Sequence, residues 1–414
     1  MAIIFQSLAI IDPSGIKDPS DFIFDEQNGL RELKGENIPA DAVNIDCKGL
    51  YASQGWVDLN CFNGEPGLEY KEDLESLGEG LSKGGFVKAV LLPNTDPAIQ
   101  TKSDVEFLKT RTKDFFSKII IQGALTKDTK GEDFTEILDL ANSGVKVFGD
   151  GLKPLANSDR LMKALQYLQK FDGIVFDHSY DPLLAIFGQM HEGEASTRLG
   201  MKGIPPLAEE VAIQKNIEIL KYTGGRLHFQ TVSTIKSVEL IREAKKEGLA
   251  VTADVSLYQL LFSDEDLATF DTNMKVKPPF RGESEREALL GGLKDGTIDA
   301  IVSNHRPHDF DAKHIEFDFA GHGMLGLQTF LPGLIQLEKE LGWPLLIEKV
   351  TSGPNKVLGE SEDNSLVIFD PKKKWEFNSK TNTSKSNNSP WFGKELTGQV
   401  KYLINRNKYI KINE

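Results

Sequence analysis

The chain has 414 residues, 39% of them hydrophobic and 27% charged, a balance that suits one large globular domain with a smaller companion. Its 62 acidic against 48 basic side chains leave a formal charge of −14, which argues against nucleic acid or an anionic membrane as a partner. Two cysteines, Cys47 and Cys61, both in apolar, buried-looking contexts, make neither a disulfide framework nor a Cys-rich zinc site.

The opening MAIIFQSLAIIDPSG is apolar but has no basic stretch ahead of it and no small-residue cleavage site. Its alternation predicts a strand and not a signal peptide. No run of about 18 apolar residues occurs, so no membrane-spanning helix is expected and the cytoplasm is the default location. Residues 1–50 continue as short alternating segments, AIIFQSLAII and ENIPADAVNIDCKG, broken by Pro, Gly and Asp.

From about residue 53 the pattern changes. Apolar, β-branched runs (FVKAVLLPN, SKIIIQGAL, GVKVFGD, GIVFDHS, RLHFQTVS, LAVTADVS, AIVSNH) alternate with amphipathic stretches such as 158–171 and PLAEEVAIQKNIEILKYTG. Strands apolar on both faces, each followed by a helix, predict a parallel sheet covered by helices. About eight such units in about 300 residues fit a (β/α)8 barrel. The last fifty residues return to strands, SLVIFDPKKKWEF and LTGQVKYLINRNKYI, around a polar run 379–389 that reads by composition as a flexible loop. The expected architecture is α/β: a (β/α)8 barrel over 53–358, plus a small β-sandwich composed of residues 1–52 and 359–414.

Chemistry in such barrels sits at the C-terminal ends of the strands. There the chain reads GWVDLNCFNGEPG at 55–67, PNTDP at 93–97, GDG at 149–151, FDHSYD through His178 and Asp181, RLHFQTVST through His228 and Thr231, and DGTIDAIVSNHRPH through Asn304, His305 and His308. Taken as bare residues, most of these have plain readings. Asn94 and Asp150 suit turns, and a lone His178 suits a hydrogen-bonded core position. In order, however, they resemble the cyclic amidohydrolases and dihydroorotase in particular, from about residue 40 to 405. The segments GEASTRLGMKGIPPLAEE (193–210, read as helical) and NSPWFGKELTGQV follow the same pattern.

The resemblance implies a site that has lost its chemistry. In that family the first strand ends Asp-x-His-x-His and an Arg precedes Glu-Pro-Gly; the His hold zinc and the Arg holds the substrate carboxylate. Asn60, Phe62 and Gly64 stand there. A further His ligand is replaced by Thr231, and the Asp that binds metal and shuttles the proton by Asn304. His178 and the alignable Asp150 remain of the ligand positions; Asn94, His305 and His308 remain around the substrate pocket. Residues 228 and 231 differ by an odd number, so on an extended strand His228 faces the helices if Thr231 faces the barrel interior.

Hydrolysis by this family needs zinc to lower the pKa of its bound water to about 7 and a carboxylate to carry the proton. Asn304 cannot titrate, two ligands are fewer than a catalytic zinc site uses, and Gly64 offers no bidentate clamp. No cofactor is therefore expected. The leading reading is a non-catalytic dihydroorotase homologue of pyrimidine biosynthesis, a homo-oligomer that serves as a structural or regulatory partner of aspartate transcarbamoylase. A second reading is an active cyclic amidohydrolase with an altered, mononuclear zinc site or a metal-free one at His178, His305 and His308. A third is a small-molecule sensor using Asn94, His305 and His308.

Overall fold

The structure, a computed structural model, describes residues 2–34, 39, 42–361 and 364–412. Eight parallel strands form the centre: Trp56–Cys61, Phe86–Leu91, Lys118–Gly123, Val147–Phe148, Ile174–Asp177, Leu227–Phe229, Val251–Ser256 and Ala300–Val302. Each pairs with its sequence neighbour, and helices run between them. Alternation sorts the side chains into two shells. Val57, Leu59, Val90, Val147, Ile174, Phe176, Ala300 and Val302 fill the barrel, while Leu91, Ile121, Phe148, Val175, Leu227 and Phe229 face the helices. The amphipathic stretches do what their spacing predicts. Helix Ser158–Leu168 is capped by Asn157, whose side chain accepts from the amides of Asp159 and Arg160, and it buries Leu161, Ala164, Leu165 and Leu168. Helix Pro206–Thr223 begins with proline in its first turn.

The barrel closes where the first strand meets the last. Cys61 bridges His305 in parallel, and the Phe62 amide donates to the His305 carbonyl at 3.0 Å. Asp58, fully buried, accepts from the Ser303 amide at 3.0 Å and from the Ser303 hydroxyl.

Both chain ends join one nine-stranded sheet, in which Leu366–Phe369 lies antiparallel to Tyr51–Gln54. The long strand Ile3–Asp12 belongs to both halves. Residues 3–6 pair with Val43–Asp46, residues 9 and 10 pair with Tyr51 and Ala52, and between them Ser7 sits at φ 56 in an irregularity of the ladder. The bend folds the sheet over a core of Ile3, Phe5, Leu8, Phe24, Ile368 and Ile404, which is the expected sandwich. Of the segment ENIPADAVNIDCKG, residues 36–38, 40 and 41 lie outside the described residues; the rest supplies Val43–Asp46.

Two expectations are corrected. The segment 193–210 is not one helix: helix Glu194–Leu199 stops at Gly200 (φ +69), and a short strand Gly203–Ile204 precedes the next helix. The polar run 379–389 is not a loose loop. Ser384 donates to Glu72, Ser386 to the Lys71 carbonyl, and the Asn388 amide to the carbonyls of Arg306 and Gly323. Its polar side chains are structural donors and acceptors that composition alone could not distinguish from solvated ones. Among the described residues no helix is long and apolar enough to cross a membrane. Both cysteines are free and buried.

Trp56 joins barrel and sandwich. It is fully buried, meets the rings of Phe86, Phe330 and Phe369 edge-on or tilted at 5.8–6.3 Å, and donates its indole N–H to Ser53 Oγ at 3.0 Å. Trp56→Ala is expected to cost about 3–5 kcal/mol in urea unfolding, because the cavity opens where both layers meet; a loss under 1 kcal/mol, far below that core range, would disprove the joint.

Candidate functional site: the barrel mouth

Buried carboxylates ring the C-terminal end of the barrel, among them Asp58, Asp150, Asp177 and Asp254, and each of these is already engaged. Asp58 holds Ser303. Asp150 accepts from the amides of Leu125 (3.1 Å) and Thr126 (2.9 Å) and from the Thr126 hydroxyl (2.5 Å). Asp177 accepts from the Leu155 amide (2.9 Å), from Asn216 Nδ2 (2.8 Å) and from Ser179. Asp254 accepts from the Thr231 amide (2.6 Å) and bonds His228 Nε2 (2.8 Å). Burial pushes the carboxyls of Asp58 and Asp177 up, and raises Asp150 to about 6.

The other positions singled out in the sequence are used in similar ways. Asn94 ties two strand ends together: Nδ2 donates to the Asp150 carbonyl at 3.0 Å, and Oδ1 accepts from the Leu152 amide at 2.8 Å. Asn60 and Phe62 are buried, and Asn60 Oδ1 has no partner. At Gly64 a Cβ would lie 2.2 Å from the Glu72 carbonyl oxygen and 2.5 Å from that of Leu68, so the loop leaves no room for a side chain there. Thr231 holds His178, with Oγ1 and Nδ1 2.9 Å apart; His178 Nε2 is free of protein partners. Asn304 is buried with both amide atoms unpartnered.

His305 and His308 do not join His178. The His305 ring accepts from the Gly326 amide at 3.2 Å and lies 3.4 Å from Glu72, in a separate recess beside Ser76 and Gln328. His308 Nε2 meets the His322 carbonyl at 3.0 Å, and burial brings its pKa down to about 4.

The outward orientation expected for His228 is corrected. Its ring lies 4.3 Å from that of Phe176 inside the barrel, and Nδ1 meets Thr252 Oγ1 at 2.9 Å. The strand ends at Phe229 and the backbone turns to φ 51 at Thr231, so strict alternation does not extend across the interval. A β-branched residue in that region is strained; the Asp254–amide bond holds it there.

Two residues not singled out from the sequence also belong to the mouth. Arg306 is 5% exposed. Lys277 Nζ sits 3.7 Å from the centroid of the Tyr180 ring, and burial, together with the neighbouring Arg306, brings its pKa down to about 8. Burial first, then Arg306 and Lys277, hold the His178 imidazole neutral. A charged residue inside the run IVSNHRPH, at a strand end, was the available signal for Arg306.

This donor set does not fit zinc. Among the described residues, no three His, Cys, Asp or Glu side chains converge to hold a metal ion. The buried Arg306 also places a positive charge near His178, which opposes a dication there.

The fold and this mouth define a (β/α)8 barrel of the amidohydrolase type with a sandwich built from its ends. The solved L-hydantoinase (dihydropyrimidinase) from Arthrobacter aurescens has the same fold, with a TM-score of 0.84 at 21% identity, covering 99% of this chain and 96% of that one. A family model described as dihydro-orotase-like matches residues 52–239. The chain is 38% identical over 386 residues to a dihydroorotase of Ruminiclostridium cellulolyticum, covering 91% of this chain and 90% of that protein. It is 34% identical over 415 residues to one of Geotalea daltonii, covering 98% of each. The chain belongs to the dihydroorotase-like family.

Two predictions test this geometry. Gly64→Arg is expected to destabilise the protein by about 1–3 kcal/mol or more in chemical denaturation, since a side chain there displaces backbone; an unchanged midpoint would show that the loop is open. Asp150 has a folded pKa of about 6 against an ordinary 3.8, so its stabilising contribution is full below pH 3.8 and is lost as pH rises through about 6. Asp150→Asn keeps the acceptor for both amides. Relative to the parent it should gain up to about 3 kcal/mol between pH 4 and pH 7; urea midpoints that differ equally at both pH values would refute the assignment.

Proposed function

We propose that this protein is a non-hydrolytic dihydroorotase homologue of pyrimidine biosynthesis, acting as a structural or regulatory partner of aspartate transcarbamoylase. One observation carries the first half: among the described residues, the mouth presents no convergent donor set for a metal. The carboxylates that could complete one are bonded across strand ends, and Asn304 cannot move a proton. The partner role is supported by the retention of the whole scaffold, barrel and sandwich alike, at 33–38% identity to dihydroorotases while the ligand positions have changed.

The test is to incubate the purified chain with zinc, desalt it, and assay dihydroorotate hydrolysis and metal content together. Substoichiometric zinc and background hydrolysis are expected. Turnover abolished by a chelator would overturn the reading in favour of an active site with an altered metal centre. For the partner, sedimentation of a mixture with aspartate transcarbamoylase should give a boundary faster than either protein alone; independent boundaries would reject that half. Asn304→Asp alone should leave hydrolysis at background, because residues 60, 62 and 231 still offer no imidazole.

A further inference from the structure

An apolar turn follows the fifth barrel strand and faces outward. It reads PLLAIFGQM, with no charged residue from 182 to 190. Leu183 is 75% exposed and Phe187 74%, and Leu184 and Ile186 are exposed as well. The turn is held firmly. The Asp181 carboxylate accepts from the amides of Leu183 (2.8 Å) and Leu184 (3.0 Å), and the Asp181 amide donates to the Ala208 carbonyl at 2.7 Å. Ala185 is buried against Ile204 and Ala208. Ala208 belongs to helix Pro206–Thr223, where the exposed Leu207 and Val211 sit one turn apart next to it. Turn and helix thus present one apolar face.

Phe187 singles this face out. Its backbone is at φ 59, the left-handed region that suits glycine and strains an aromatic residue. The ring held there stays in water, with Lys202 Nζ 5.2 Å from its centroid. Strain and exposed apolar area both disfavour the isolated chain, so the fold by itself gives no reason for an aromatic residue here, whereas a partner that covers it does.

Area and charge say what covers the face. Its six large side chains present on the order of 500 Å². An ordinary interface takes about 800 Å² from each partner, roughly 60% of it apolar, so this face supplies the apolar share of one whole interface. With a net charge of −14, two copies of the chain repel on average. A two-fold contact sets a patch against itself, so it must avoid a single sign of charge. The exposed Phe310 and Phe319 fail that condition, because Asp309, Asp311, Glu316 and Asp318 stand among them. The face around Phe187 meets it: its centre is uncharged, and its edge carries both signs, Asp181 and Glu210 against Lys202.

We propose that residues 183–187 and the first turns of helix Pro206–Thr223 form a two-fold face on which a second copy of this chain docks, with Leu183 and Phe187 as its anchors. The proposal is independent of what the barrel mouth does chemically.

The experiment is sedimentation velocity of the full chain from about 1 to 50 µM, beside variants at exposed positions. The parent should sediment with twice the mass of one chain. Leu183→Glu sets two like charges across the axis and should weaken the dimer roughly tenfold or more. Phe187→Gly should weaken it to a similar degree. Added to Leu183→Glu, it should leave the Tm of the dissociated chain level or higher, because glycine relieves the backbone; a lower Tm would mean that Phe187 serves the fold and would overturn its role as anchor. Phe319→Ser, in the acidic patch, should leave the mass unchanged. A single-chain mass at 50 µM, an undiminished dimer in the Leu183→Glu and Phe187→Gly variants, or a dimer lost equally in Phe319→Ser overturns the face. If the parent sediments as one chain and Leu183→Glu abolishes its co-sedimentation with aspartate transcarbamoylase, the face belongs to that partner and the second copy is rejected.

Discussion

The structure hangs on Asp58. A parallel barrel has no hairpin to join its first and last strands, so closure must come from contacts between segments far apart in the chain. Here the carboxylate of the first strand takes the amide and hydroxyl of Ser303, and the backbone bridge Cys61–His305 follows from that alignment. The carboxyl is wholly desolvated, which would be unfavourable without those donors. The same device recurs around the rim. Asp150 clasps Leu125 and Thr126, Asp177 clasps Leu155, and Asp254 clasps Thr231, each linking a strand to the connection beside it.

This girdle explains why the mouth is rigid and chemically poor together. A carboxylate that accepts two or three hydrogen bonds from fixed amides is not free to bind a metal or to swing toward a substrate. Asn60, Phe62 and Thr231 stand at these strand ends, and His178 is bonded to Thr231. The backbone at Thr231 and Asn304 nevertheless stays in the left-handed region (φ 51 and φ 45). At Thr231 that geometry is held by the Asp254 carboxylate, which accepts from the backbone amide.

Most of the fold was legible in the sequence. Runs such as SKIIIQGAL admit a strand covered on both faces and little else, and the amphipathic stretch 158–171 carries the helix Ser158–Leu168. At the mouth the sequence located the strand ends themselves, where Asn94 bonds the Asp150 carbonyl and Thr231 bonds His178. It was not legible where three-dimensional pairing decides. Parity along a strand misplaced His228 because the strand ends two residues early. Composition misread 379–389 because a serine bonded to Glu72 and a serine in water are the same letter. Arg306 and Lys277 lie 29 residues apart, and nothing along the chain shows that both come near His178.

The closure at Asp58 also governs how the chain comes into being. Its partner Ser303 lies 245 residues downstream. At about 5–20 residues per second, the first strand leaves the ribosome on the order of tens of seconds before the last one exists. The strand Ile3–Asp12 waits longer, since its sheet is completed by Leu366–Phe377. Through that interval an apolar first strand carries an open edge beside an unpaired carboxylate, which favours keeping it hydrated over joining it to a stranger. The buried acid that seals the finished barrel thus doubles as a guard for the unfinished one.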